Sequence, residues 1–179
     1  MKRIFVGIKI SDEIKQAAAV WQNSRADLPV RWLAPDNLHL TIVPPREADD
    51  KEIKEIISKL EKVKTQSGPF NLRFTEISYG PNSHKPRLIC ALGKTPTALI
   101  ELKNMVELAL GKGRVARPFL LHLTLARFKT ENFSSFKVKK LRDKIFWQQR
   151  VDGFQLIESV LTSGGAKYKV LAEVIFQAQ

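Results

Sequence analysis

Three histidines occur in the 179 residues, and two of them open the same tripeptide, His39-Leu40-Thr41 and His122-Leu123-Thr124. An imidazole titrates close to neutrality, so two of them around one phosphorus atom can work in opposite protonation states, one giving a proton while the other takes one. Threonine hydroxyls can donate hydrogen bonds to non-bridging phosphate oxygens, and oxyanion donors of this kind contribute roughly 10²–10³ in rate each. Taken singly, a histidine beside leucines is an ordinary packed or surface residue. The repetition is what makes the pair a candidate for phosphoryl transfer without metal. A zinc site is the competing reading, but it needs three or four ligands. Here only His84 and Cys90 lie close together, and Cys90 sits inside the apolar run Leu88-Ile89-Cys90-Ala91-Leu92, where it reads as a core residue. No metal and no cofactor is expected.

Strand geometry gives the tripeptide its meaning. Successive side chains of a strand point to opposite faces, so Leu38, Leu40 and Ile42 can be buried while His39 and Thr41 project together from the other side. In the second copy Leu121, Leu123 and Leu125 are buried, and His122 and Thr124 share the open face. Two lobes packed about an approximate twofold axis would bring both pairs to one cleft.

The elements that must hold these residues follow from periodicity. Ile4, Val6, Ile8 and Ile10 alternate with Phe5, Gly7 and Lys9, predicting a strand over 3–10. Ser11 can cap a helix ending near Asn23, with Ile14, Ala17, Ala18 and Trp21 on one face. Residues 37–43 alternate again, and Pro44-Pro45 prevents continuation as a central strand. A helix over 50–65 carries the stripe Ile53, Ile56, Ile57, Leu60, Val63, and a strand over 70–79 ends in the turn Gly80-Pro81-Asn82-Ser83. A strand at 87–92, a helix at about 96–111 and a strand at 119–127 then repeat the plan. The segment 133–150 is basic with a partial helical pattern, and two strands, 153–161 and 168–176, flank a Gly164-Gly165 turn. His84 falls in a turn and reads as incidental.

The halves can be superposed on paper. Residues 3–8 lie over 87–92 at an offset of 84, and the two His-Leu-Thr motifs lie over each other at an offset of 83, which argues for two related lobes. The predicted class is α+β: a single domain over 1–179 made of two pseudo-repeated, interleaved lobes, two antiparallel sheets with outer helices and a central cleft.

Composition narrows the partners. Lys and Arg number 30 against 18 Asp and Glu, a formal charge of +12, which favours polyanions although basic proteins are common for other reasons. A single cysteine excludes an internal disulfide and fits a reducing cytosol. The short N-terminal apolar stretch, interrupted by Lys9, does not read as a secretion signal, and no apolar run approaches membrane-spanning length. A cytoplasmic monomer with no membrane partner is therefore the expectation.

At this point the chain resembles a known family, the 2H phosphoesterases, and within it the RNA 2′,3′-cyclic phosphodiesterases, also called 2′-5′ RNA ligases. The hallmark is a pair of His-x-Thr-x motifs, here His39-Leu40-Thr41-Ile42 and His122-Leu123-Thr124-Leu125. The likeness extends over Arg3 to Ile8, Arg31 to Leu38, Arg117-Pro118-Phe119, Ala126-Arg127 and Tyr168 to Leu171. It departs at Val43-Pro44-Pro45-Arg46, where the family runs Lys-Phe-Leu-Gly-like, and at Leu121, where proline is frequent. The resemblance implies hydrolysis of RNA 2′,3′-cyclic phosphate ends to 2′-phosphates, with His39 as proton donor to the departing 3′ oxygen and His122 as proton acceptor from water. Spacing alone does not decide which histidine plays which part. The same groups run backwards would join RNA ends 2′-5′, and a non-catalytic RNA- or nucleotide-binding module is the reading from another class.

Further candidates are individually weaker. Arg127 can reach phosphate, but strict alternation assigns it to the leucine face, where an ion pair at the strand end explains it equally well. Trp32, Phe119 and Tyr168 could stack on a base or simply pack. Arg46 and Lys167 could contact phosphate or be solvated surface charges.

Overall fold

A computed structural model describes residues 1–63, 67–80, 85–111, 118–163 and 165–177. The chain runs β1 (Lys2–Lys9), α1 (Asp12–Asn23), β2 (Arg31–Trp32), a 3-10 turn (Pro35–Asn37), β3 (His39–Ala48), α2 (Asp50–Glu61), β4 (Phe70–Gly80), β5 (Leu88–Leu92), α3 (Thr97–Ala109), β6 (His122–Arg127), a second 3-10 stretch (Thr130–Ser135), β7 (Arg142–Val151), β8 (Gly153–Thr162) and β9 (Gly165–Ile175). Two sheets result. One has the order β3-β1-β8-β9 and the other β2-β6-β5-β4-β7, and every pairing is antiparallel.

The helices are exchanged between the sheets. Helix α1, capped by Ser11, leaves the four-stranded sheet and packs on the five-stranded one. There Trp21 Nε1 and Arg25 donate to the Asp143 carboxylate of β7, and Gln22 donates to the Leu125 carbonyl of β6. Helix α3 does the reverse, leaving β5 to pack on β3 beside α2. The Asp49 carboxylate and Glu52 close a reciprocal capping box at the start of α2, whose Ile53, Ile56 and Leu60 are buried. Leu99, Leu102 and Val106 of α3 are buried with them, as the 3.6-residue stripe requires.

Several expectations change. The segment 133–150 is a 3-10 stretch followed by β7, not a helix. Asp143, Ile145 and Trp147 are half-buried between exposed neighbours, which is a two-residue period. Its aromatics Phe133 and Phe136 instead ring Tyr79 and Phe128. Strand β3 starts at His39 and passes through Pro44-Pro45 to Ala48, which is tolerated because it is an edge strand. Strand β6 starts at His122, because the Thr95 hydroxyl takes the Leu121 N–H and donates to the Phe119 carbonyl. Strand β9 begins at Gly165, earlier than its pattern suggests. The end of the predicted second helix at 64–65, most of the turn at 80–83, Gly164, His84 and Arg117 lie outside the described residues.

Candidate active site

The two histidine strands share more than a tripeptide. In β3–β1 pairing, Lys9 faces His39, Gly7 faces Thr41 and Val6 faces Val43, so Ile42 is an extra residue. In β6–β5 pairing, Leu92 faces His122, Cys90 faces Thr124 and Ile89 faces Ala126, so Leu125 is the extra one. Both strands therefore carry a β-bulge one residue past the threonine. Equivalent partners differ by 83 in each case, Gly7 to Cys90 and Thr41 to Thr124, so the offset of 84 read for β1 over β5 is corrected to the 83 of the motifs.

The bulge overturns the strict alternation assumed for Arg127. Leu125 and Ala126 are both fully buried, which spends two residues on the core face and returns Arg127 to the face of His122 and Thr124. Its charge is felt at His39 on the other sheet. Opposite it on β2 stands Arg31, and the two arginines line a pocket of about 150 Å³ together with Asn37, Ala166 and Tyr168. Sequence reasoning does not single out Arg31; its signal is its place on a two-residue strand that only the β6 pairing reveals.

Each imidazole is held by its own strand. His39 Nδ1 lies 2.8 Å from the carbonyl oxygen of Asn37, and His122 Nδ1 lies 2.9 Å from that of Leu120. A carbonyl only accepts, so both Nδ1 atoms carry hydrogen. The Nε2 of each ring takes no part in these contacts and is left free of its strand. His39 is further packed between Phe5, at 4.7 Å, and Tyr168, at 4.8 Å and edge-on. Burial lowers its pKa below the usual imidazole value; the Asn37 carbonyl opposes this, and the charge of Arg127 adds to it. Gly7 makes room for the Phe5 ring, since a Cβ there would sit 3.3 Å from Phe5 Cε2 and 3.1 Å from the Leu40 carbonyl.

The remaining candidates separate. Thr41 and Thr124 are half-buried on the histidine faces. Tyr168 joins His39. Trp32 packs edge-on against Trp21 while bordering the arginine pocket. Phe119 lies beneath the Lys103 ammonium, 5.9 Å from its ring centre, and so packs on α3. Arg46 is drawn away, pairing with Glu52 at the start of α2. Lys167 is exposed on β9, paired across the ladder with Val160. Cys90 is buried, as expected of a packing residue, and stands opposite Thr124. Burial pushes its thiol up to about 11, so it stays protonated and unreactive. Among the described residues, no three His, Cys, Asp or Glu side chains group as metal ligands, and no helix is long and apolar enough to cross a membrane.

Comparison with known proteins gives this geometry its relatives. The model of the family described as LigT like Phosphoesterase matches residues 8–90, which include the first motif. A relative from Archaeoglobus fulgidus, named RNA 2′,3′-cyclic phosphodiesterase, is 30% identical over 94% of this chain and 97% of its own. One from Aquifex aeolicus with the same name is 26% identical over 96% and 95%. Among solved structures, a Thermus thermophilus protein superposes with a TM-score of 0.81 at 22% identity, covering 97% of each chain. E. coli LigT complexed with 3′-AMP superposes at 0.80 and 24% identity over 99% of each.

Proposed function

Since the chain belongs to the LigT-like phosphoesterases, within the 2H phosphoesterase superfamily, we propose that it is an RNA 2′,3′-cyclic phosphodiesterase that yields a 2′-phosphate without metal. The observation that carries the reading is the matched pair of histidines, each with Nδ1–H fixed on the carbonyl two residues before it. In the proposed reaction both Nε2 atoms address one phosphorus. His122 Nε2 takes a proton from water as the water oxygen bonds to phosphorus. The bond from phosphorus to the 3′ oxygen breaks, and His39 Nε2–H gives that oxygen its proton. Thr41 and Thr124 donate to the non-bridging oxygens, and Arg127 offsets their charge. The donor role of His39 follows the family resemblance; the burial that lowers its pKa makes its charged form a stronger acid and also a scarcer one near neutral pH.

Residues 1–179 act here as one catalytic domain of two interleaved lobes, a cytoplasmic monomer working on RNA ends or nucleotides. The test is hydrolysis of a nucleoside 2′,3′-cyclic phosphate in chelator, with the product identified by phosphorus NMR. A 2′-monoester is expected, and His39→Ala or His122→Ala should each cost about 10²–10⁴ in turnover. Undiminished turnover in both variants would remove the reading.

A further inference from the structure

The face that carries His122 and Thr124 does not end at β5. Cross-strand partners share a face, and the pairings link Thr124, Cys90, Ser78 and Arg142 in one row and His122, Leu92, Glu76 and Lys144 in the next. The second row is closed by an ion pair, Lys144 Nζ to Glu76 at 2.7 Å. Strand β7 is the outer edge of this sheet, three strand spacings, or roughly 14 Å, from the histidine strand.

Along that edge Arg142, Lys144 and Phe146 are exposed at every second position, while Asp143, Ile145 and Trp147 are half-buried toward α1. Lys144 is held by Glu76, whereas among the described residues no carboxylate pairs with Arg142. Phe146 is 70% exposed. Phe146 stands four residues from the unneutralised Arg142, roughly 13 Å along the strand with Lys144 between them, so the edge offers a π-face for a base at one end and a fork for a phosphate at the other, the two kinds of group that hold single-stranded nucleic acid. Lys139 and Lys140 border the same end of the strand around a cavity with Ser78 and Arg142, extending the positive charge.

Resting on the reading above, we propose that β7 is a second subsite that binds the RNA upstream of the cyclic end, with a base stacked on Phe146 and a backbone phosphate on Arg142. The rows of the sheet make the path continuous, because His122 and the exposed Lys144 of β7 lie on one face of the five-stranded sheet.

The experiment compares two substrates with the same terminal nucleoside, a mononucleoside 2′,3′-cyclic phosphate and an oligoribonucleotide ending in that group. The wild type should show a lower KM for the oligoribonucleotide. Phe146→Ala and Arg142→Ala should each raise that KM roughly fivefold or more relative to the mononucleotide, and Arg142→Ala should flatten the salt dependence by about 0.7 in log–log slope. Phe146→Tyr, which keeps the ring, should retain the preference. Equal KM values for both substrates in the wild type, or a substrate preference untouched by both alanine variants, would overturn the inference while leaving the proposed function standing. A wild type that hydrolyses neither substrate overturns the function itself, and this subsite with it.

Discussion

The Tyr168 ring stands edge-on to His39, with centroids 4.8 Å apart and planes at 84°, and the contact joins β9 to the edge strand at the opposite side of the same sheet. Tyr168 thus helps keep water from an imidazole whose lowered pKa comes first from burial. Tyr168→Ala should raise the His39 pKa toward about 6.5, and Tyr168→Phe, which keeps the ring, should leave it close to wild type. Titration of the imidazole carbon-bound protons by NMR reads both.

The same shift links to stability. His39 is held below its unfolded value, so between the two values the unfolded chain binds more protons, and stability must rise with pH there. Its contribution is present above about pH 6.5 and is lost as pH falls through the lower folded value. Urea midpoints measured from pH 7.5 downward should therefore fall more steeply for wild type than for Tyr168→Ala.

Arg127 acts on His39 by charge rather than by contact in this geometry. Arg127→Gln should raise the His39 pKa by removing a repelling cation and should also raise KM for a cyclic phosphate, because the cleft loses positive charge. A titration curve identical to wild type would contradict the placement of Arg127 on the histidine face.

Much of this site is legible in the chain because alternation is a strong signal where one face is buried. The shared faces of His39 with Thr41 and of His122 with Thr124 follow from the leucines and isoleucine between and around them. Alternation fails where a bulge changes the count, and Leu125-Ala126 is such a place: two apolar residues in succession fit a bulge and a strand end equally, and only the pairing with Ile89 and Cys90 decides. The error for Arg127 has its root in that pairing. Arg46 misleads for another reason, since the carboxylate that claims it, Glu52, belongs to a capping box on the next helix. The segment 133–150 mimics a helix because Phe133 and Phe136 stand three apart and Leu141 and Ile145 four apart, but the first pair packs on itself ahead of the strand and only Ile145 lies within β7.

Lys103 and Glu107 form an ion pair within α3, and both are nearly inaccessible to solvent. Removing one partner strands a buried charge, so Glu107→Ala should cost about 3–5 kcal/mol in urea unfolding. Replacing both with apolar residues of similar volume, Lys103→Met with Glu107→Leu, should recover most of that loss. A single variant as stable as wild type would mean that the pair is solvated.

Gly7 gives the most local test of how the fold holds His39. Its missing Cβ is the space over which the Phe5 ring lies, and Phe5 in turn packs on the imidazole at 4.7 Å. Gly7→Ala brings a methyl to 3.3 Å from Phe5 Cε2 and 3.1 Å from the Leu40 carbonyl, so either the ring or the strand must yield by a few tenths of an ångström. The ring can turn away, but the shorter contact is to the Leu40 backbone carbonyl, so the strand that carries His39 must shift as well, and the imidazole moves with both. Turnover of a nucleoside 2′,3′-cyclic phosphate should fall, with misplacement of about 1 Å worth up to about 10²-fold, while KM changes little. A Gly7→Ala variant with undiminished kcat would show that neither Phe5 nor the pairing of β1 with β3 positions His39.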